Sequence, residues 1–301
     1  MAYNHLWRAP LSRSLTAFIV TAAAGAQCFS GISQPANREE TAEAHHQAAV
    51  DYHLKRCLDD ASRGYAKALA LEPPRELAVE QWALVRRFAP RVYVTRSEFF
   101  PLKDVAVILH PTKRLIAYHF FWEDDIDFPE DNDPCDHELM WVQYSEDRSS
   151  IEKVWTYFHG RILDGGVAAV EDASRHKMRP RINVQWGKHG SMPSDWQALT
   201  LLRDSSPPGA QPITLRLYNE ETFRILSTQG RRLRDHPLGI RAGWPARFEG
   251  NWAAFSDFSR LVDPLELIER KRMALVSRWN SAAINQHFLA YNFRPKTEWP
   301  E

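Results

Sequence analysis

Apolar positions along the chain first recur at three- and four-residue spacing, then switch to alternation. Between Asn37 and Leu71, the residues Val50, Leu54, Cys57, Leu58, Ala61, Tyr65, Ala68 and Leu69 share one helical stripe. Glu39, Glu40 and Glu43 sit in the first turns, where the helix dipole favours carboxylates, and Pro73-Pro74 stops the helix. Leu77, Trp82, Leu84, Val85 and Phe88 predict a second helix from Glu76 to Phe88. Strand patterns follow at Arg91 to Thr95, Asp104 to Leu109, Leu115 to Trp122, Leu139 to Tyr144, Ile151 to Ile162, Arg181 to Trp186 and Thr214 to Tyr218. In the fifth of these, Ile151, Lys153, Trp155, Tyr157 and His159 alternate with Val154, Thr156 and Phe158.

Strands in a run, with turns between them and no alternating helices, predict a mainly β fold, an antiparallel β-sandwich with flanking N-terminal and C-terminal helices. Gly165-Gly166 and Ser205 to Pro212 read as loops, Glu220 to Gln229 as a short helix, and Pro264 to Asn285 as the last helix. The predicted organisation is a signal peptide over 1–26, a helical segment over 37–88, a sandwich domain over 89–218 and a mixed, partly helical segment over 219–301 packed on the sandwich. No internal repeat or low-complexity tract interrupts it.

The signal peptide rests on Arg8 and Arg13 ahead of the acid-free apolar run Leu15 to Ala26, which ends in Ala24-Gly25-Ala26. That run is short of the roughly 20 apolar residues a membrane span needs. The expectation is a secreted or extracytoplasmic protein without a transmembrane span in the mature chain; the alternative is a frayed terminal helix of a cytosolic protein. The three cysteines, Cys28, Cys57 and Cys135, allow one disulfide and one spare thiol, and no CxxC suggests a cysteine zinc site. A formal net charge of zero, or −2 once Arg8 and Arg13 are removed, implies no nucleic-acid partner.

Candidate chemistry concentrates between Tyr118 and Gln143. An aromatic strand runs into a loop carrying nine carboxylates from Glu123 to Glu138, kept irregular by Pro129 and Pro134. Loops held by rigid strands are where function concentrates. Mutual repulsion among these acids would be relieved by a cation or a basic partner. Asp124, Asp125 and His137 are the candidate metal ligands: carboxylates suit Ca²⁺ or Mg²⁺, and a histidine among them suits Zn²⁺. For acid–base work the candidates are His137 with Glu138, joined by His159 and His189. Neighbours on a regular strand point to opposite faces, so the first pair needs a bend. Gly187-Lys188-His189-Gly190-Ser191 matches neither a hydrolase elbow nor a P-loop.

Four pieces in order resemble the β-sandwich group of necrosis-inducing-protein-like and vacuolar-sorting-related proteins. They are Phe88 to Tyr93 (FAPRVY), Ala117 to Phe121 (AYHFF), Asp136 to Trp141 (DHELMW) and Asn183 to Pro193 (NVQWGKHGSMP). The likeness spans about a third of the chain. It implies a compact, usually secreted sandwich holding a cation at one end of its sheets and, in the necrosis-inducing branch, attack on target membranes. His137 matches the family histidine, and Asp124 or Asp125 an acidic ligand. Where the family motif has Asp and Glu on either side of the Trp, this chain has Met140 and Val142, which cannot bind calcium or magnesium.

Three functional readings follow: a secreted binding or membrane-surface effector module with a divalent cation (Ca, Mg or Zn), a metal-assisted hydrolase using His137 and Glu138, and a structural domain without catalysis. Exposed Trp beside carboxylates grips sugar rings or cationic head groups, so a glycan or membrane head group is the expected partner. Trp122, Trp141 and Trp155 lie within strands and read as core. Trp244 and Trp252, in the stretch GWPARFEGNW, are the candidate binding residues.

Overall fold

The helical stripe at the start folds as two helices rather than one. The computed structural model describes residues 41–125, 135–202, 209–233, 252–280, 282–289, 295–296 and 299–300. Helix α1 (Ala42–Leu54) and helix α2 (Leu58–Leu71) are separated by a turn in which Arg56 adopts a left-handed φ of 62° and Cys57 is disulfide-bonded. The side chain of Thr41 caps α1 by accepting from the Ala44 N–H (3.2 Å). The two helices approach closely at Gly64, where a Cβ would lie 2.8 Å from Ala49 Cβ. Helix α3 (Val79–Phe88) follows a two-residue strand, β1 (Arg75–Glu76).

The strand region contains β2 (Arg91–Val94), β3 (Leu102–Leu109), β4 (Leu115–Trp122), β5 (Asp136–Tyr144), β6 (Ile151–Phe158), β7 (Arg161–Asp164), β8 (Arg181–Val184) and β9 (Ser191–Pro193). Later strands are β10 (Thr200–Leu201), β11 (Ile213–Thr214), β12 (Arg260–Val262) and β13 (Ala274–Val276). One sheet has seven strands in the order β1-β13-β3-β4-β5-β6-β7, a second has four in the order β12-β2-β8-β9, and β10 pairs with β11 alone. Pairing is antiparallel except for β13 with β3 and β2 with β8. Both larger sheets are therefore mixed, and with the helices the chain is a mixed α and β fold, which corrects the expectation of a mainly β, purely antiparallel sandwich.

Strand β4 explains how the core is laid out. All eight of its residues are buried, as expected of a continuous apolar run covered on both faces. Ile116, Tyr118, Phe120 and Trp122 enter a core shared with β2, β8 and α3. Ala117 and Phe121 enter a second core with Leu139, Trp141, Trp155 and Ile284. Burying each such large apolar side chain contributes about 1.5–3 kcal/mol. The Tyr118 hydroxyl donates to the Val85 carbonyl (2.9 Å), tying β4 to α3.

Three local expectations are corrected. Thr214 to Tyr218 is not a strand. Thr214 ends β11 and its hydroxyl caps helix α5 (Leu215–Leu233) by accepting from Leu217 N–H (3.2 Å), so the apparent alternation was the first turn of a helix. Gly165-Gly166 is not merely a loop, because Gly166 opens helix α4 (Gly166–Arg175) with its N–H on Asp164 Oδ1 (2.8 Å). The last predicted helix is interrupted. A helix over Leu265–Lys271 stops at Arg272, whose φ is +52°, and β13 follows before a final helix over Ala282–Phe288. The residues after 218 thus supply a strand to each large sheet.

Candidate functional site

The ends of β4 and β5 meet the β8–β9 turn in a cluster of buried charge. In that turn Gly187 and His189 both have positive φ, +67° and +52°. Glycine takes this conformation freely, whereas a histidine there stores strain of order 1–2 kcal/mol. The turn is closed by backbone bonds from His189 N–H to the Gln185 carbonyl (2.9 Å) and from Gln185 N–H to the Gly190 carbonyl (3.0 Å). A Cβ on Gly190 would strike the Phe158 ring at 2.8 Å, so the turn lies directly on β6.

The His189 ring is fully buried between two carboxylates, with Nδ1 2.9 Å from Asp136 Oδ2 and Nε2 3.4 Å from Glu98 Oε1. Trp122 stacks on the ring at 4.4 Å between centroids, 5° from parallel. Burial works against the charged imidazole, but Glu98 and Asp136 outweigh it and hold the pKa up at about 10. Burial likewise opposes the Asp136 carboxylate, and the hydrogen bond and charge of His189 lower its pKa in spite of that. Glu98 also accepts the N–H groups of Phe99 (2.9 Å), Phe100 (3.0 Å) and Gly187 (2.8 Å). One imidazolium and its two acids therefore join the 95–100 loop, β5 and the β8–β9 turn.

Two lysines complete the charge pattern. Lys188 Nζ lies 2.5 Å from Asp125 Oδ2, and Lys296 Nζ lies 2.9 Å from Glu138 Oε1. Burial pushes the Glu138 carboxyl up to about 8 against the opposing pull of Lys296. Asp124 Oδ1 accepts from the Asp125 N–H (2.9 Å), shaping the start of the acidic loop.

His137 and Glu138 are consecutive in β5, so they leave it on opposite faces. His137 stacks on Phe121 (4.7 Å) and bonds through Nε2 to His119 Nδ1 (3.0 Å). His119 Nε2 in turn reaches Asn280 Oδ1 (3.1 Å), which makes that nitrogen the donor and leaves Nδ1 to accept from His137. Burial lowers the pKa of His119 to about 3, so this ring is neutral. The bend that would bring His137 and Glu138 together is absent from β5.

His159 sits in the turn between β6 and β7 and reaches the His189 turn through Gln185. It and Gly160 have φ of +46° and +81°, the pattern of a two-residue hairpin turn between β6 and β7. Its Nε2 bonds Gln185 Oε1 (2.6 Å), and Gln185 passes its amide to Asn219 Oδ1 (2.7 Å). Burial lowers its pKa to about 4. Trp244 lies outside the described residues, as do the loop residues 126–134, and Trp252 opens a short helix over Trp252–Phe255.

The described donors do not fit a divalent cation. Asp125 is engaged by Lys188, and Met140 and Val142 are fully buried among apolar side chains. Among the described residues no group of three or more His, Cys, Asp or Glu side chains is arranged to hold a metal. Sequence reasoning missed Glu98, His119, Lys188, Asn280 and Lys296 as parts of this network. His119 carried a signal, being the one imidazole in the otherwise apolar and aromatic run of β4; Glu98 and Asn280 carried none.

No known protein-family profile matches the chain, and no curated protein matches it. Among solved structures, the chain is similar to necrosis and ethylene inducing protein 2 from the causal agent of cocoa's witches' broom disease, at 13% identity and a TM-score of 0.30. That match covers 62% of this chain and 89% of the other. No helix among the described residues is long and apolar enough to cross a membrane.

Proposed function

We propose that the chain is a secreted binding or membrane-surface effector module, a divergent relative of the necrosis-inducing and vacuolar-sorting-related group, whose acidic loop meets a glycan or a cationic membrane head group. The observation that carries the reading is the bracing of the loop's two roots. Trp122, the last residue of β4, stacks on His189, and Asp136, the first residue of β5, bonds the same ring. Rigid roots lower the entropy cost of presenting a loop to a partner. The sandwich relationship rests on the four ordered motifs. Export rests on the N-terminal apolar run and on disulfide-bonded Cys57, since disulfides persist in oxidising compartments.

The catalytic alternative is less well supported, because His137 and Glu138 sit on opposite faces of β5 and both are buried. The test is binding of the purified chain to a glycan array and to vesicles carrying choline or anionic head groups. A second chain with Asp127, Glu130, Asp131 and Asp133 changed to their amides serves as the control. Saturable binding that the amide variant loses supports the reading. Equal binding by both chains, or none by the native one, removes it.

A further inference from the structure

The acidic end of the seven-stranded sheet carries its own cations. Lys188 and Asp125 pair at 2.5 Å with only 13% and 11% of their side chains exposed. Lys296 and Glu138 pair at 2.9 Å with 11% and 7% exposed, and Lys296 Nζ also lies 4.8 Å from the centre of the Tyr157 ring. Charge pairs so shielded from water attract more strongly than surface pairs. A divalent ion recruiting Asp125 would first have to displace an ammonium from it. It would also find no oxygen ligand at Met140 and Val142, whose side chains are apolar.

We propose that Lys188 and Lys296 are the resident counter-cations of this site, occupying the electrostatic place of a divalent ion, so that the fold needs no metal at Asp124, Asp125 and His137. The inference is independent of what the module docks on, because its readouts are metal content and melting. The first experiment measures metal in the purified native chain, with thermal melts before and after a chelator and with added calcium, magnesium, manganese or zinc. The expected result is no stoichiometric metal and melting points within about 1 °C of each other, against roughly 5 °C or more for an ion at a hundred times its Kd. Stoichiometric metal whose removal lowers the melting point overturns the proposal.

The second experiment replaces the ammonium. Lys188→Met should lower the melting point by roughly 6–15 °C, because it removes the ammonium paired with the mostly buried Asp125 carboxylate. Lys188→Arg, which keeps the charge, should stay within a few degrees of native. A Lys188→Met chain as stable as native overturns the proposal. If that chain does not fold, retention of stability by Lys188→Arg together with the native metal measurement still decides.

Discussion

The Nδ1 atom of His189 lies 2.9 Å from Oδ2 of Asp136, joining a strained turn of the four-stranded sheet to the first residue of β5 in the seven-stranded one. Because Glu98 approaches the other ring nitrogen, removing the imidazole leaves two buried acids without their shared counter-charge. His189→Asn keeps a residue that tolerates left-handed φ, so it isolates the charge from the backbone. Its expected cost is about 3–5 kcal/mol, read as a lower urea midpoint at unchanged slope. A loss under about 1 kcal/mol would mean that the pair contributes no more than a surface contact.

The same ring sets a pH dependence. Its folded pKa, about 10, lies above the ordinary 6.5, so the folded state binds the proton more tightly. The stabilisation is fully present below pH 6.5 and is lost as pH rises through about 10. Native melting points should therefore fall between pH 7 and pH 10 more steeply than those of His189→Asn. Parallel curves for the two chains would contradict the assignment.

At the helix pair, Gly64 admits Ala49 where any side chain would collide, at 2.8 Å between Cβ atoms. Gly64→Ala gains up to about 1 kcal/mol in helix propensity but must push apart a packed contact that costs about 1–3 kcal/mol. The net expectation is a destabilised chain by denaturant titration. Ala49→Gly in the same chain should recover much of the loss by removing the opposing methyl group, and failure to recover would locate the strain elsewhere.

Cys135 is a free thiol and buried, while Cys57 is disulfide-bonded. Under native conditions a thiol reagent should label Cys135 slowly, and in denaturant without reductant it should label one thiol per chain quickly. Fast native labelling would show that the start of β5 opens readily. Reduction of the disulfide should lower the melting point, since such cross-links contribute about 2–4 kcal/mol.

Much of the fold was legible wherever one period ran long enough. The eight-residue apolar run of β4 appears at its observed bounds, whereas the strand expected over 151–162 holds β6 but runs on through the His159-Gly160 turn into β7. The stripe of α1 and α2 was legible as helix but not its break, which depends on Arg56 and Cys57. Short stretches were ambiguous: TLRLY alternates like a strand until the capping bond of Thr214 is known. The site was half legible. Its acids and the His137 and His189 positions stood out, but their partners come from the 95–100 loop, Asn280 and Lys296, and no local pattern announces such distant contacts.

By itself, then, the sequence determined which segments are buried, where the acidic loop lies and which residues could titrate beside it, because periodicity and composition are local properties. Tertiary structure alone decided that β13 and β2 take parallel partners and that Lys188 and Lys296 meet Asp125 and Glu138. Both outcomes join groups far apart in the chain that meet only after it has folded, and for the two lysines the energy of burying charge makes that meeting matter.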